Sequence, residues 1–166
     1  MIKVLFICHG NICRSPMCEF IMKDLVRSRG LEGEYHIESA ATSSEELGNP
    51  VYPPARAKLA EHGISCKGKT ARRVRSDEYD DWDLFIGMDS ENMHNLLRLF
   101  RNDPKNKVHK LLEYTGRARD VSDPWYTRDF EATWNDALSG CNALLDELES
   151  QPPLFFASKY DIIRNS

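Results

Sequence analysis

Residues 2–7 (Ile, Lys, Val, Leu, Phe, Ile) form a short, almost unbroken apolar run rich in branched side chains, and the chain changes character abruptly at Cys8. A run this short and this apolar reads as an interior strand of a parallel sheet, buried on both faces. Parallel neighbours require a crossover, and the next segment supplies one. Ser15 and Pro16 offer a helix cap and a proline suited to the first turn, so the pattern predicts a helix to about Arg29, ended by Gly30. The link between them, residues 8–14, then lies at the carboxyl end of a strand, where open α/β sheets hold their ligands.

The rest of the chain repeats this alternation. Residues 34–39 read as a second strand, Pro53 and Pro54 open a helix stopped by Gly63, and residues 83–87 form a third strand. Asp89 or Ser90 can cap a helix running to about Arg101, and residues 108–112 make a weaker fourth strand. Phe130, Trp134, Ala137, Leu138, Cys141, Leu144, Leu145 and Leu148 recur at helical spacing, predicting a last helix over 129–149. Such a chain is α/β, with a parallel sheet flanked by helices on both faces. After Pro152 and Pro153 the tail stays apolar, with Leu154, Phe155, Phe156, Tyr160, Ile162 and Ile163. It is expected to pack on the body, with self-association as the second option.

Composition narrows the function classes. A chain of 166 residues fits one domain, and a net charge of -4 argues against a nucleic-acid partner. No stretch approaches the roughly 20 apolar residues of a membrane span, so a cytoplasmic setting without membrane contact is expected. There the five cysteines (Cys8, Cys13, Cys18, Cys66, Cys141) stay reduced, and an odd count suits no closed disulfide framework. Cys8, His9, Cys13 and Cys18 form no evident four-ligand set, and Arg14 would sit against a cation, so neither metal nor cofactor is expected.

The chemistry concentrates in Cys8, His9, Gly10, Asn11, Ile12, Cys13, Arg14, Ser15 and Pro16. Convergent backbone N–H groups ahead of a helix make a nest for an oxyanion. Gly10 and Asn11 both tolerate the positive φ such a loop needs. Arg14 brings a planar fork able to hold two phosphate oxygens. The same donors favour the thiolate of Cys8, so one loop would bind the anion and generate the nucleophile. A bare cysteine and arginine at this spacing arise often by chance; the strand before them and the helix start after them carry the reading.

These residues resemble the low-molecular-weight protein tyrosine phosphatases. The resemblance spans about residues 2–149 and rests on residues 4–19, on Glu38, Ser39, Ala40, Ala41 and Thr42, on His62, Gly63 and Ile64, on Met88 and Asp89, and on Asp123, Pro124, Trp125 and Tyr126. It implies a four-stranded parallel sheet with the phosphate-binding loop between the first strand and the first helix. It implies one domain over residues 1–150, with residues 151–166 an extension of unknown role. It assigns Cys8 as nucleophile, Arg14 as phosphate clamp and Asp123 as general acid. Ser15 would hydrogen-bond the Cys8 sulfur, and Asn11 would lock the loop with support from Ser39. His9, Gly10, Asn11, Ile12, Cys13, Ser15, Trp125 and Tyr126 would surround the substrate, a phosphotyrosine protein or small aryl phosphate. Cys13 would trap oxidised Cys8 as a disulfide, making activity redox-sensitive. Cys18 reads as simply buried. A monomer, with at most weak self-association, is expected. Attack by a thiolate and proton delivery by a neutral Asp123 together predict a bell-shaped, mildly acidic pH profile.

Three departures from that pattern stand out. Glu45 occupies a rim position where an aromatic residue is expected, leaving Tyr52, Trp125 or Tyr126 to wall the substrate slot. Residues 66–73 lack a histidine that braces the loop in some relatives, and their basic charge would either attract acidic phosphopeptides or be solvated. The tail lies outside the resemblance. Among the alternatives, arsenate reductases on this fold need further cysteines near residues 78–90, where none occurs. Protein-arginine phosphatases tend to carry Thr in place of Ile12. Cysteine phosphocarrier domains lack the clamping arginine, and an inactive phosphate-binding module would have lost Cys8 or Asp123.

Overall fold

The computed structural model describes residues 1–117 and 119–151. Four strands, β1 (Ile2–Cys8), β2 (Tyr35–Ala41), β3 (Leu84–Gly87) and β4 (Val108–Lys110), form one all-parallel sheet in the order β2-β1-β3-β4. β1 is central, and Val4, Leu5, Phe6 and Ile7 are fully buried. Their alternation divides the core. Val4 and Phe6 join one cluster with Met17, Ile21, Leu59 and Leu144, from α1 (Arg14–Ser28), α2 (Pro53–Glu61) and α5 (Phe130–Ser150). Leu5 and Ile7 join another with Trp82, Phe85, Leu96 and Phe100, under α3 (Ser90–Leu99). Helices therefore cover both faces, as the unbroken apolar pattern of β1 requires.

Two local readings are corrected. α1 starts at Arg14 behind Cys13, which makes no side-chain cap bond, so Ser15 lies inside the first turn and does not cap it. Its hydroxyl is directed to Cys8 instead. β4 ends at Lys110, and residues 111–115 turn into a 3₁₀ segment. A short helix, α4 (Pro124–Thr127), follows Asp123, whose carboxylate accepts from the Trp125 N–H at 3.0 Å. The helix expected over 129–149 is present, capped by Asp129 through the Ala132 N–H at 3.0 Å.

Register brings the segments around Cys8 together. Cys8 pairs with Ala41 and Phe6 with Ser39, while Ile7 lies beside Gly87. Beyond the strands, the Thr42 and Ser43 N–H groups donate to the Cys8 and His9 carbonyls at 3.0 and 3.1 Å, which holds the next residues along the loop. The Val121 N–H donates to the Met88 carbonyl at 2.8 Å, tying the segment before α4 to the end of β3. Among the described residues no helix is long and apolar enough to cross a membrane. The expectation for the tail falls on residues 152–166, outside the described residues.

Candidate active site

Residues 9–13 curl between β1 and α1. Asn11 takes φ of 60°, a left-handed conformation that asparagine tolerates. Gly10 does not, contrary to the expectation that both would. Its side-chain-free α-carbon answers a close approach: a Cβ there would meet Glu46 Cγ at 3.3 Å.

A directed chain of hydrogen bonds runs behind this loop. The Asn11 amide donates from Nδ2 to Ser15 Oγ at 2.8 Å and to Ser39 Oγ at 2.9 Å, while its Oδ1 accepts the Arg72 N–H at 3.2 Å. Ser39 Oγ in turn donates to Glu19 Oε1 at 2.5 Å. Because Ser15 Oγ is already an acceptor, its own hydrogen is available to Cys8 Sγ, 3.0 Å away. The Asn11 N–H also reaches that sulfur at 3.3 Å. Two donors thus converge on the sulfur, the arrangement that stabilises a thiolate. Asn11, Ser15 and Ser39 are fully buried, so they support the loop from behind and do not line the cleft in front of it.

Glu19 and Lys69 complete the support. Glu19 is buried and bonds Lys23 Nζ at 2.7 Å, with Lys69 Nζ at 3.5 Å from its other oxygen. Lys69 also donates to the Ser39 carbonyl at 2.8 Å. Burial pulls the Lys69 ammonium below the ordinary lysine range, opposed by the charge of Glu19. A lysine thus stands where the missing histidine was noted. Sequence reasoning gave neither residue this role, although Glu19, one turn beyond Ser15 on an apolar helix face, signals a buried carboxylate in need of a partner.

Arg14 is 4% exposed. Its Nη1 donates to Asp89 Oδ2 at 2.7 Å, and its Nη2 lies 3.4 Å from Asp123 Oδ2. Burial works against the guanidinium's charge, but Cys8, Asp123 and Asp89 overcome it and hold its pKa above the usual arginine value. Asp89 caps α3 with its other oxygen, accepting the Asn92 N–H at 2.7 Å, so the helix cap also orients the arginine. Asp123 is held from below: Asp136 on α5 accepts the Ser122 N–H at 3.2 Å and grips Arg119 with both oxygens, at 2.9 and 2.6 Å.

In front of Cys8 opens a cleft of about 440 Å³. Cys8, His9, Gly10, Ile12, Cys13, Arg14, Asp123, Trp125 and Tyr126 line it as expected, joined by Glu45, Glu46, Asp89 and Glu91. Tyr52 lies behind the wall, its ring 5.3 Å from that of Trp125. Cys13 is a free thiol whose pKa is pushed up to about 12, first by burial and then by the neighbouring Cys8 and Asp123. Cys18 is fully buried, donating to Met88 Sδ at 3.7 Å.

The profile of the low molecular weight phosphotyrosine protein phosphatases matches residues 3–153. The chain belongs to that family. It is 38% identical over 156 residues to the low molecular weight protein-tyrosine-phosphatase YfkJ of Bacillus subtilis, covering 93% of this chain and 100% of that one. The crystal structure of YfkJ superposes with a TM-score of 0.87 at 39% identity, over 90% of this chain and 96% of that one. A drosophila arginine phosphatase has the same fold, with a TM-score of 0.84 at 28% identity over 91% and 100% of the two chains.

Proposed function

We propose that this chain hydrolyses phosphotyrosine in proteins, and simple aryl phosphates, through a cysteinyl-phosphate intermediate. The observation that carries the reading is the Cys8 sulfur, held by Ser15 and the Asn11 N–H, opening on a cleft shared with Arg14 and Asp123. The phosphate monoester docks in the loop and the Cys8 thiolate attacks phosphorus opposite the leaving oxygen. Arg14 turns from its contacts with Asp89 and Asp123 toward the equatorial oxygens, where charge is concentrated. As the S–P bond forms and the P–O bond breaks, Asp123 passes its proton to the departing phenolate. The Asp123 carboxylate then takes a proton from water as the water attacks phosphorus, which releases inorganic phosphate and returns the thiolate. Ser15 stabilises the sulfur both as attacker and as leaving group.

Each step uses the chain's own residues and needs no metal or cofactor. Ile12 lines the cleft with an apolar side chain, which suits an aryl ring better than a guanidino group. Cys13 is the partner for reversible oxidation of Cys8, and residues 1–150 are the catalytic domain. A cytoplasmic setting goes with this reading, since a reactive thiolate depends on a reducing compartment.

Hydrolysis of 4-nitrophenyl phosphate and of a phosphotyrosine peptide by wild type, Cys8→Ser and Asp123→Ala tests the proposal. Wild-type turnover, with Cys8→Ser inactive, is the expected result. An inactive wild type, or an active Cys8→Ser, would sink it. Full activity in Asp123→Ala would remove only the acid's role.

A further inference from the structure

Around the mouth of the catalytic cleft, outside Arg14, Asp89 and Asp123, the charged lining residues are Glu45, Glu46, Glu91 and His9. The carboxylates come from two elements: Glu45 and Glu46 follow β2, and Glu91 sits in the first turn of α3. Glu45 meets the half-exposed His9 at 3.0 Å, a contact that is ionic only when the imidazole is protonated. Glu46 accepts from the neutral Asn49 amide at 2.6 Å, and among the described residues Glu91 has no ion-pair partner. Arg128 lies over the outer wall, 5.6 Å from the centre of the Trp125 ring and bonded to the Tyr52 hydroxyl. The carboxylates lining the mouth outnumber the cation beside them, so an incoming phosphate dianion meets a net negative rim before it reaches Arg14.

The basic segment 66–73 does not offset this. Lys67 and Lys69 line a separate cleft beside α2, and Lys69 is turned inward to Ser39 and Glu19. Arg72 is paired with Glu78 and Glu38. The attraction of acidic phosphopeptides considered for this segment therefore has no counterpart at the mouth.

We infer that this rim makes the enzyme select phosphotyrosine flanked by lysine or arginine. The inference rests on the phosphatase reading above, because the cradle beneath the rim fixes what arrives: a phosphate whose remaining chain must lie against Glu45, Glu46 and Glu91. A substrate carrying positive charge beside its phosphate cancels the repulsion, and one carrying carboxylates adds to it. Each exposed charge pair at the rim separation contributes about a twofold factor at low salt, so several together give about tenfold. Discrimination arises as much from rejecting the acidic chain as from attracting the basic one.

The experiment compares two phosphotyrosine peptides of equal length, with lysine or glutamate at the two positions on either side. Their kcat/KM values are measured at about 20 mM and about 500 mM NaCl, since screening over a few ångströms separates rim electrostatics from shape. Wild type is expected to prefer the lysine peptide by about tenfold at low salt and by less than about twofold at high salt. The Glu45→Gln/Glu46→Gln/Glu91→Gln variant should lose most of the low-salt preference; if it does not fold, Glu91→Gln alone and the wild-type salt series still decide. Turnover of both peptides at equal rates, or a preference for glutamate, overturns the inference and leaves the phosphatase reading standing. Failure of wild type on both peptides and on 4-nitrophenyl phosphate overturns the two together.

Discussion

The proposed nucleophile, Cys8, and the proposed acid, Asp123, sit in opposite surroundings. Behind Cys8, the chain of Ser15, Asn11, Ser39 and Glu19 is at most 3% exposed, and donation runs outward from the Asn11 amide, through Ser15 to Cys8 and through Ser39 to Glu19. Across the cleft, the Asp123 side chain is 29% exposed, Trp125 45% and Tyr126 83%. A thiolate and the oxygens it attacks need fixed donors, because electrostatic stabilisation depends on dipoles already in place. The acid must reach leaving groups of varied size, and an exposed helical turn on a firm stem serves that better than a buried one. Rigidity is placed where charge develops, and solvent access where substrates differ.

The strongest way to break this comparison is on the exposed side. Asp123→Ala should lower kcat for a phosphotyrosine peptide by about 10²–10⁴-fold. The loss should be smaller for 4-nitrophenyl phosphate, whose leaving group needs less protonation; steady-state kinetics on both substrates checks the difference. An equal loss on both would mean that Asp123 does something other than donate a proton. On the buried side, Asn11→Ala removes the lock itself. Ser15 and Ser39 then lose a donor in a fully buried site, so we expect a loss of about 1–3 kcal/mol in stability and a fall in kcat with little change in KM. Urea unfolding together with kinetics measures both.

Lys69→Met tests the brace one step further back. Glu19 would keep Lys23 and the Ser39 hydroxyl but lose its second cation, and a stability loss of about 2 kcal/mol is expected, with Lys69→Arg recovering part of it. Trp125→Ala, on the exposed wall, should raise KM for aryl substrates by only a few-fold and leave the unfolding midpoint nearly unchanged. The smallest effect concerns Cys13. With its pKa at about 12, its neutral form is the one the fold favours. The stability linked to it is intact below its ordinary value of 9.0 and is lost as the pH rises toward 12. Its surroundings hold the Cys13 thiol neutral, so iodoacetamide followed by mass spectrometry should find Cys8 modified well before Cys13. Early labelling of Cys13 would mean that the donors gathered on the Cys8 sulfur do not set the two thiols apart.

The loop was legible in the sequence because its parts are contiguous: an apolar strand, a reactive thiol, a residue suited to positive φ, an arginine and a helix start within about a dozen residues. Asp123 was placed only through family resemblance, since no local rule relates residues about 115 positions apart. Ser15 misled as a helix cap because serine ahead of proline is a helix-start signal, and here the Cys8 sulfur takes the hydroxyl. Gly10 was expected to turn the backbone, but its missing Cβ makes room for Glu46. The ion pair of Glu19 with Lys69 joins a helix to a loop about 50 residues later, which neither periodicity nor spacing reveals.

By itself, then, the sequence determined the alternation of strands and helices, the parallel sheet and the chemistry of the loop, because hydrophobic period and local backbone preference act over a few residues. Tertiary structure alone decided which carboxylates meet Arg14, which cation braces the loop and which charges ring the mouth. Those are long-range pairings set by sheet register and helix packing, and they exist only once the chain has closed around its core.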